Sequence, residues 1–217
     1  MAETVKLLFS ATRETVYMVA VSVLIASIFG IPLGVLLYST DRGRILENSP
    51  LNKALGTIVN IFRSIPFVIL LIMLIPFTRW LVGKSIGTTA AIVPLSVAAI
   101  PFMGRLTETA LREVDRGVIE AAQAMGASPF QVITKVLIPE ALPSIAAGIT
   151  ITAINLVGYS AMAGVIGGGG LGDLAVRYGY QRFMLDIMLY TVAILVVMVQ
   201  LIQVLGDLVV KYLSKHR

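Results

Sequence analysis

The sequence predicts an all-α polytopic membrane protein with five transmembrane helices, and three observations predict it. Hydrophobic residues fill 57% of the 217 positions and charged ones only 13%, with a mean hydropathy of +0.91, a balance that a soluble core of this size does not need. The apolar residues gather into five runs, at about 15–38, 57–78, 88–104, 144–166 and 185–210, each near the ~20 residues that a ~30 Å hydrocarbon layer takes. The basic residues flank these runs, so the net charge of +5 reads as topology signal and head-group contact rather than nucleic-acid binding. Cysteine is absent, which excludes disulfides and thiolate metal sites. The single histidine, His216, sits in a basic tail and reads as solvated, so no metal site is expected.

Along the chain, residues 1–14 read either as an interfacial amphipathic helix with Val5, Leu8 and Phe9 toward lipid or as a frayed terminus. Thr15 to Tyr38 is too long for a secretory h-region and lacks a convincing cleavage site, so it is a retained span. The second run holds Arg63 about six residues from its start, ~9 Å along a helix. A charge there either faces a bundle interior or pathway, or snorkels to the interface. Pro66 and Pro76 in this run, and Pro94 and Pro101 in the short third run, are expected to kink their helices and free backbone carbonyls.

A polar interruption follows. Glu120-Ala121-Ala122-Gln123-Ala124-Met125 is a run of strong helix formers with small side chains, a surface that another protein can approach closely. Gly126 should end that helix in a left-handed cap. Ala127 bridges to Ser128-Pro129-Phe130-Gln131, where Ser128 is an N-cap, Pro129 suits the first helical position and Gln131 completes a capping box. Ile138 precedes Pro139 and is biased toward extended backbone, so this second short helix is expected to stop near Leu137.

In the fourth run, Asn155, Gly158, Tyr159, Ser160, Ala161, Met162, Ala163 and Gly164 mix small residues with a few hydrogen-bonding groups. That composition suits close helix packing first and a pathway lining second. Asn155, Tyr159, Ser160 and Met162, together with Arg63, are the pathway candidates. Met162 is the preferred gate, since methionine closes an apolar constriction adaptably. Gly167-Gly168-Gly169-Gly170-Leu171-Gly172-Asp173 is not a phosphate loop, because no Gly-Lys-Ser/Thr follows; a mobile external turn is expected there. The fifth run is uninterrupted.

Five spans place the termini on opposite sides. With the N-terminus outside and the C-terminus cytoplasmic, the cytoplasmic face collects Arg42, Arg44, Lys53, Arg105, Arg112, Arg116, Lys135, Lys211, Lys215 and Arg217, against Lys6, Arg13, Arg79, Lys84, Arg177 and Arg182 outside. That orientation puts the 120–139 loop in the cytoplasm.

Glu120, Ala121, Ala122, Gly126 and Pro139 at their full spacing resemble the EAA loop of ABC-importer permeases, with Val136 where the family has Ile and Ile138 where it has Leu. Both departures keep apolar volume. The resemblance implies that Glu120, Ala121, Ala122, Gly126, Ala127, Ser128 and Pro129 form a coupling element seated in a groove of a cytoplasmic ATPase. Arg63-Ser64-Ile65-Pro66-Phe67 looks like the Arg-x-x-Pro element of amino-acid-type permeases. Gly158 to Gly164, the glycine run and Leu174 to Phe183 are similar to the permeases of methionine importers. The resemblance covers residues 13–204 as one type I ABC-importer transmembrane domain, with a coupling loop at about 112–142. It implies a homodimer in a bacterial cytoplasmic (inner) membrane, two ABC ATPase subunits inside and a substrate-binding protein outside. The implied cargo is methionine, with another amino acid or small metabolite as the alternative.

The chain carries no Walker motif and no catalytic constellation, so it is expected to be a transport subunit, with ATP and Mg²⁺ bound by the partner ATPase. An ion-coupled secondary transporter should place acidic residues inside its spans. Here Asp173 and Asp186 lie at an external boundary, and Glu108, Glu113, Asp115, Glu120 and Glu140 in the cytoplasmic region. No internal repeat is visible, which also argues against that class. A channel or passive subunit would leave the EAA spacing unexplained.

Overall fold

The first apolar run becomes a helix much longer than the run itself. A computed structural model describes residues 2–215, which leaves His216 and Arg217 outside the described residues, and in it α1 is unbroken over Ala2–Ser39. Residues 2–14, expected as an interfacial helix or a frayed terminus, are therefore the first turns of α1. Leu8 and Ala11 share a face that packs against Leu171, Leu174 and Ile187, so Leu8 turns inward while Val5 and Phe9 stay exposed.

The second run breaks. α2 covers Ser49–Ser64, α3 Phe67–Met73 and α4 Ile75–Val82, and α2 meets α3 at 101°. The sequence anticipated a kinked span; the bend is a full break, because Ile65 takes the extended backbone imposed by Pro66 (φ −79°, ψ 123°). α5 spans Thr88–Arg112 and is the most enclosed of the long helices, with Pro94 and Pro101 both inside it. The third apolar run ends at about 104, beside Arg105. The helix continues because the charges that follow pair: Arg105 with Glu108, and Arg112 with both Glu108 and Asp41. Asp41, on the loop after α1, accepts the Arg42 N–H at 2.8 Å. That bond, and then the Arg112 guanidinium, hold its carboxyl below the usual carboxylate range against the opposing effect of partial burial.

α1 and α5 approach closely. A Cβ on Gly30 would lie 2.7 Å from Met103 Cβ, and one on Gly34 2.5 Å from the Gly104 carbonyl oxygen, the small-residue packing that apolar helices use when water supplies no drive.

α6 (Arg116–Ala124) and α7 (Pro129–Val132) form the polar loop. The expected stop near Leu137 does not occur. Ile138 is helical (φ −65°, ψ −49°), and a π-helical stretch over Ile133–Leu137 joins α7 to α8 (Ile138–Val165) in one 37-residue helix. Widening the turn to i→i+5 bonding makes room for Pro139, which lacks an N–H and would crowd the carbonyl four residues earlier. α9 (Gly170–Leu174), a second π-helical stretch (Ala175–Tyr180) and α10 (Leu185–Ser214) complete the described residues. α10 is the least enclosed long helix and lies at the periphery. Among the described residues four helices are long and apolar enough to span a membrane, or five if the bent α2–α3 pair counts as one span.

Candidate coupling surface and translocation face

The polar loop is built by local caps. Asp115 accepts the Gly117 N–H at 2.6 Å and starts α6. Gly126 has φ +82°, and its N–H and that of Ala127 close the helix onto the carbonyls of Gln123 and Ala122. The Ser128 hydroxyl accepts the Gln131 N–H at 3.4 Å while the Gln131 side chain accepts the Ser128 N–H at 2.8 Å, so the capping box forms as the spacing implied.

This loop has two faces. Ile119, Ala122 and Val132 are buried and fix it against the helical body. Glu120, Ala121, Ser128 and Pro129 are exposed, Gly126 lies open with nothing near its Cβ position, and Ala127 is half-buried. Sequence reading missed Met125 and Phe130, which are 81% and 73% exposed. Both are large apolar side chains standing out of a polar surface; their position inside the capped loop was the available signal.

The pathway candidates separate. Asn155, Gly158 and Met162 lie with Ile151 and Val165 along one exposed face of α8, at spacings of three and four residues. Tyr159 is half-buried beside that face and stacks on Phe67 of α3, with ring centroids 4.5 Å apart and planes 3° from parallel. Ser160 points the other way: it is buried and its hydroxyl donates to the Val157 carbonyl at 2.7 Å. Arg63 is exposed in the last turn of α2, just before the bend.

The glycine run is packed against α1 and α8 and is not an open turn. Gly167, Gly169 and Gly170 all have positive φ. The Gly170 N–H donates to Glu14 Oε2 at 2.7 Å and the Leu171 N–H to the Thr15 hydroxyl at 2.9 Å. These two α1 side chains cap α9 from 156 residues away, and no local pattern signals them. Among the described residues no group of acidic or histidine side chains is arranged to hold a metal ion.

A family model described as "binding-protein-dependent transport system inner membrane component" matches residues 30–217. The chain is 57% identical to a probable D-methionine transport system permease protein of Vibrio cholerae over 211 residues, 97% of this chain and 93% of that protein. It is 48% identical to the methionine import system permease protein of Bacillus subtilis, over 96% of this chain and 94% of that one. Among solved structures, a chain from inward-facing conformations of the MetNI methionine ABC transporter aligns with a TM-score of 0.97 at 49% identity, covering 98% and 99% of the two chains. A chain of an amino acid ABC transporter aligns at 0.80 with 21% identity over 98% and 96%, a likeness of fold alone.

Proposed function

The chain belongs to the family of binding-protein-dependent transport system inner membrane components, and we propose that it is the membrane-spanning subunit of an ATP-driven importer carrying methionine into the cytoplasm. The observation that carries this reading is the end-to-end likeness to a methionine ABC transporter chain, 0.97 over 98% of the residues. In this reading the protein lies in a bacterial cytoplasmic (inner) membrane with its N-terminus outside, as a homodimer. Two cytoplasmic ATPases bind ATP and Mg²⁺, and an external binding protein delivers the amino acid.

The geometry supplies a route for the work. Glu120, Ala121 and the exposed side of α6, with Met125, Phe130 and the capped turn, dock on the ATPase. Displacement of α7 is carried into the membrane because α7, the π-helical stretch and α8 are one helix, roughly 55 Å long at 1.5 Å per residue. The same helix bears Asn155 and Met162 on its free face, which a second copy would meet across a two-fold axis.

Reconstitution with the partner ATPase and binding protein tests the reading: labelled methionine should accumulate only with ATP. Accumulation driven by an ion gradient without ATP would favour a secondary transporter. Orientation is checked by single cysteines in a chain that has none of its own. Ala124→Cys should label only from the cytoplasm and Gln181→Cys only from outside, both sites being exposed. Position 169 is a poor probe, because a Cβ there would sit 2.8 Å from the Thr88 hydroxyl at φ +80°.

For the dimer axis, a Met162→Cys pair should crosslink between subunits under copper oxidation and block uptake. Leu195→Cys, half-buried against both core clusters, should not. Met162→Trp should lower transport more than assembly. Crosslinking through α10 with none at 162 would place the axis elsewhere.

A further inference from the structure

The cytoplasmic end of α5 carries a charge cluster that neither the docking surface nor the α8 face explains. Glu108 is only 4% exposed. Its Oε2 accepts from Arg105 Nη1 at 2.6 Å and its Oε1 from Arg112 Nη2 at 2.7 Å. Arg112 Nη2 also donates to Asp41 Oδ2 at 2.7 Å, on the loop between α1 and α2. Arg105 Nη2 donates to Asn60 Oδ1 at 2.8 Å, on α2. Two cations and two carboxylates balance within the cluster, and the two arginines held by Glu108 tie α5 to the loop after α1 and to α2.

Its place in the chain is what gives it a task. Only Glu113, Val114 and Asp115 separate Arg112 from α6, and Glu113 accepts the Ser144 hydroxyl of α8 at 2.9 Å. A push on α6 therefore reaches the end of α5 directly. An enclosed carboxylate between two guanidiniums is a poor stability device, since apolar side chains of the same volume usually serve as well or better, whereas ion pairs at interfaces are the contacts that conformational transitions repack. The cluster is also graded. Arg112 and Asp41 are 43% and 29% exposed, so their pair can exchange with water, while the Arg105–Glu108 pair is more enclosed at 28% and 5%.

We propose that Arg105, Glu108 and Arg112 form the joint that passes movement of the docking helix from α5 to α1 and α2, with Asp41 and Asn60 as the releasable attachments. These are positioning residues for transport, and the assignment rests on the importer reading above.

The test uses the full reconstituted complex and reads ATP hydrolysed per methionine taken up. Glu108→Gln risks misfolding, so the attachments are changed instead: Asp41→Asn and Asn60→Ala leave Glu108 paired with both arginines. Each should assemble and hydrolyse ATP near the wild-type rate while ATP consumed per methionine rises about tenfold, within the range by which residues between two sites alter their coupling. Asp41→Glu, which keeps the charge, should restore the ratio toward wild type. If Asp41→Asn and Asn60→Ala both couple as wild type, or if uptake and hydrolysis fall in equal proportion, the cluster is packing and the joint is overturned. A wild-type complex without ATP-driven uptake would instead overturn the importer reading and the joint with it.

Discussion

Valine at position 172 is expected to leave little or no assembled permease in the membrane. A Cβ on Gly172 would lie 2.3 Å from the Ala161 carbonyl oxygen and 2.5 Å from the Ala161 Cα. These are backbone atoms of α8, which cannot swing aside as the end of a flexible side chain can. The same approach is tight from the other side, since a Cβ on Gly164 would meet the Asp173 nitrogen at 2.3 Å. Relief requires α8 and α9 to separate, which withdraws Leu171 and Leu174, both almost fully buried, from their places beside Ala11 and Ile187. Overpacking a well-filled core costs about 1–3 kcal/mol where side chains can adjust, and a clash with backbone should exceed that. Gly56→Ala, on α2, is the control, because nothing lies within 4 Å of its Cβ position. Yield and thermal midpoint of the detergent-solubilised protein decide the matter: a Gly172→Val protein that accumulates and melts like wild type would mean that α8 and α9 do not pack this way.

At Gly126 the expected loss is of uptake, with assembly retained. Its Cβ position is open, so sterics with neighbours cannot be the obstacle; the obstacle is φ +82°. A non-glycine residue in the left-handed region costs roughly 1–2 kcal/mol, and asparagine tolerates it best. Valine, branched at Cβ, should escape the strain by changing φ, which swings the Ser128 cap and Phe130 away from α6 and spoils the docking surface as a unit. Uptake should rank glycine, asparagine, alanine, valine, with valine near background. Membrane levels should stay equal across the series, because the turn is exposed. Glu120→Lys, on the same exposed side, should likewise stop uptake by reversing a charge at the docking face. Full uptake by Gly126→Val would remove this loop from the coupling role.

What the sequence could determine was whatever depends on neighbours a few residues away. Hydropathy marked the long spans. The Gly126 cap and the Ser128–Gln131 box were legible because φ preference and capping bonds act within one turn. The same local reasoning misjudged Pro139: the bias at Ile138 is real, yet the chain resolves it by widening the preceding turn, and the packing of Val132 and Leu137, both fully buried, holds the helix together. What it could not show is that the helix runs on past the apolar run, because Arg105 and Arg112 find carboxylates on their own helix and on the loop after α1.

Tertiary structure alone decided the rest, because the partners are remote in sequence. Gly167 to Gly172 looks like a flexible turn until Glu14 and Thr15 are seen capping it and α8 is seen lying against it. Ser160 and Met162 are two residues apart and equally plausible on paper; the way α8 packs buries one and leaves the other on the free face. A helix's period states which residues share a side. Only the packing of other helices states which side is covered, and that depends on close approaches whose two halves lie as far apart as residues 14 and 170.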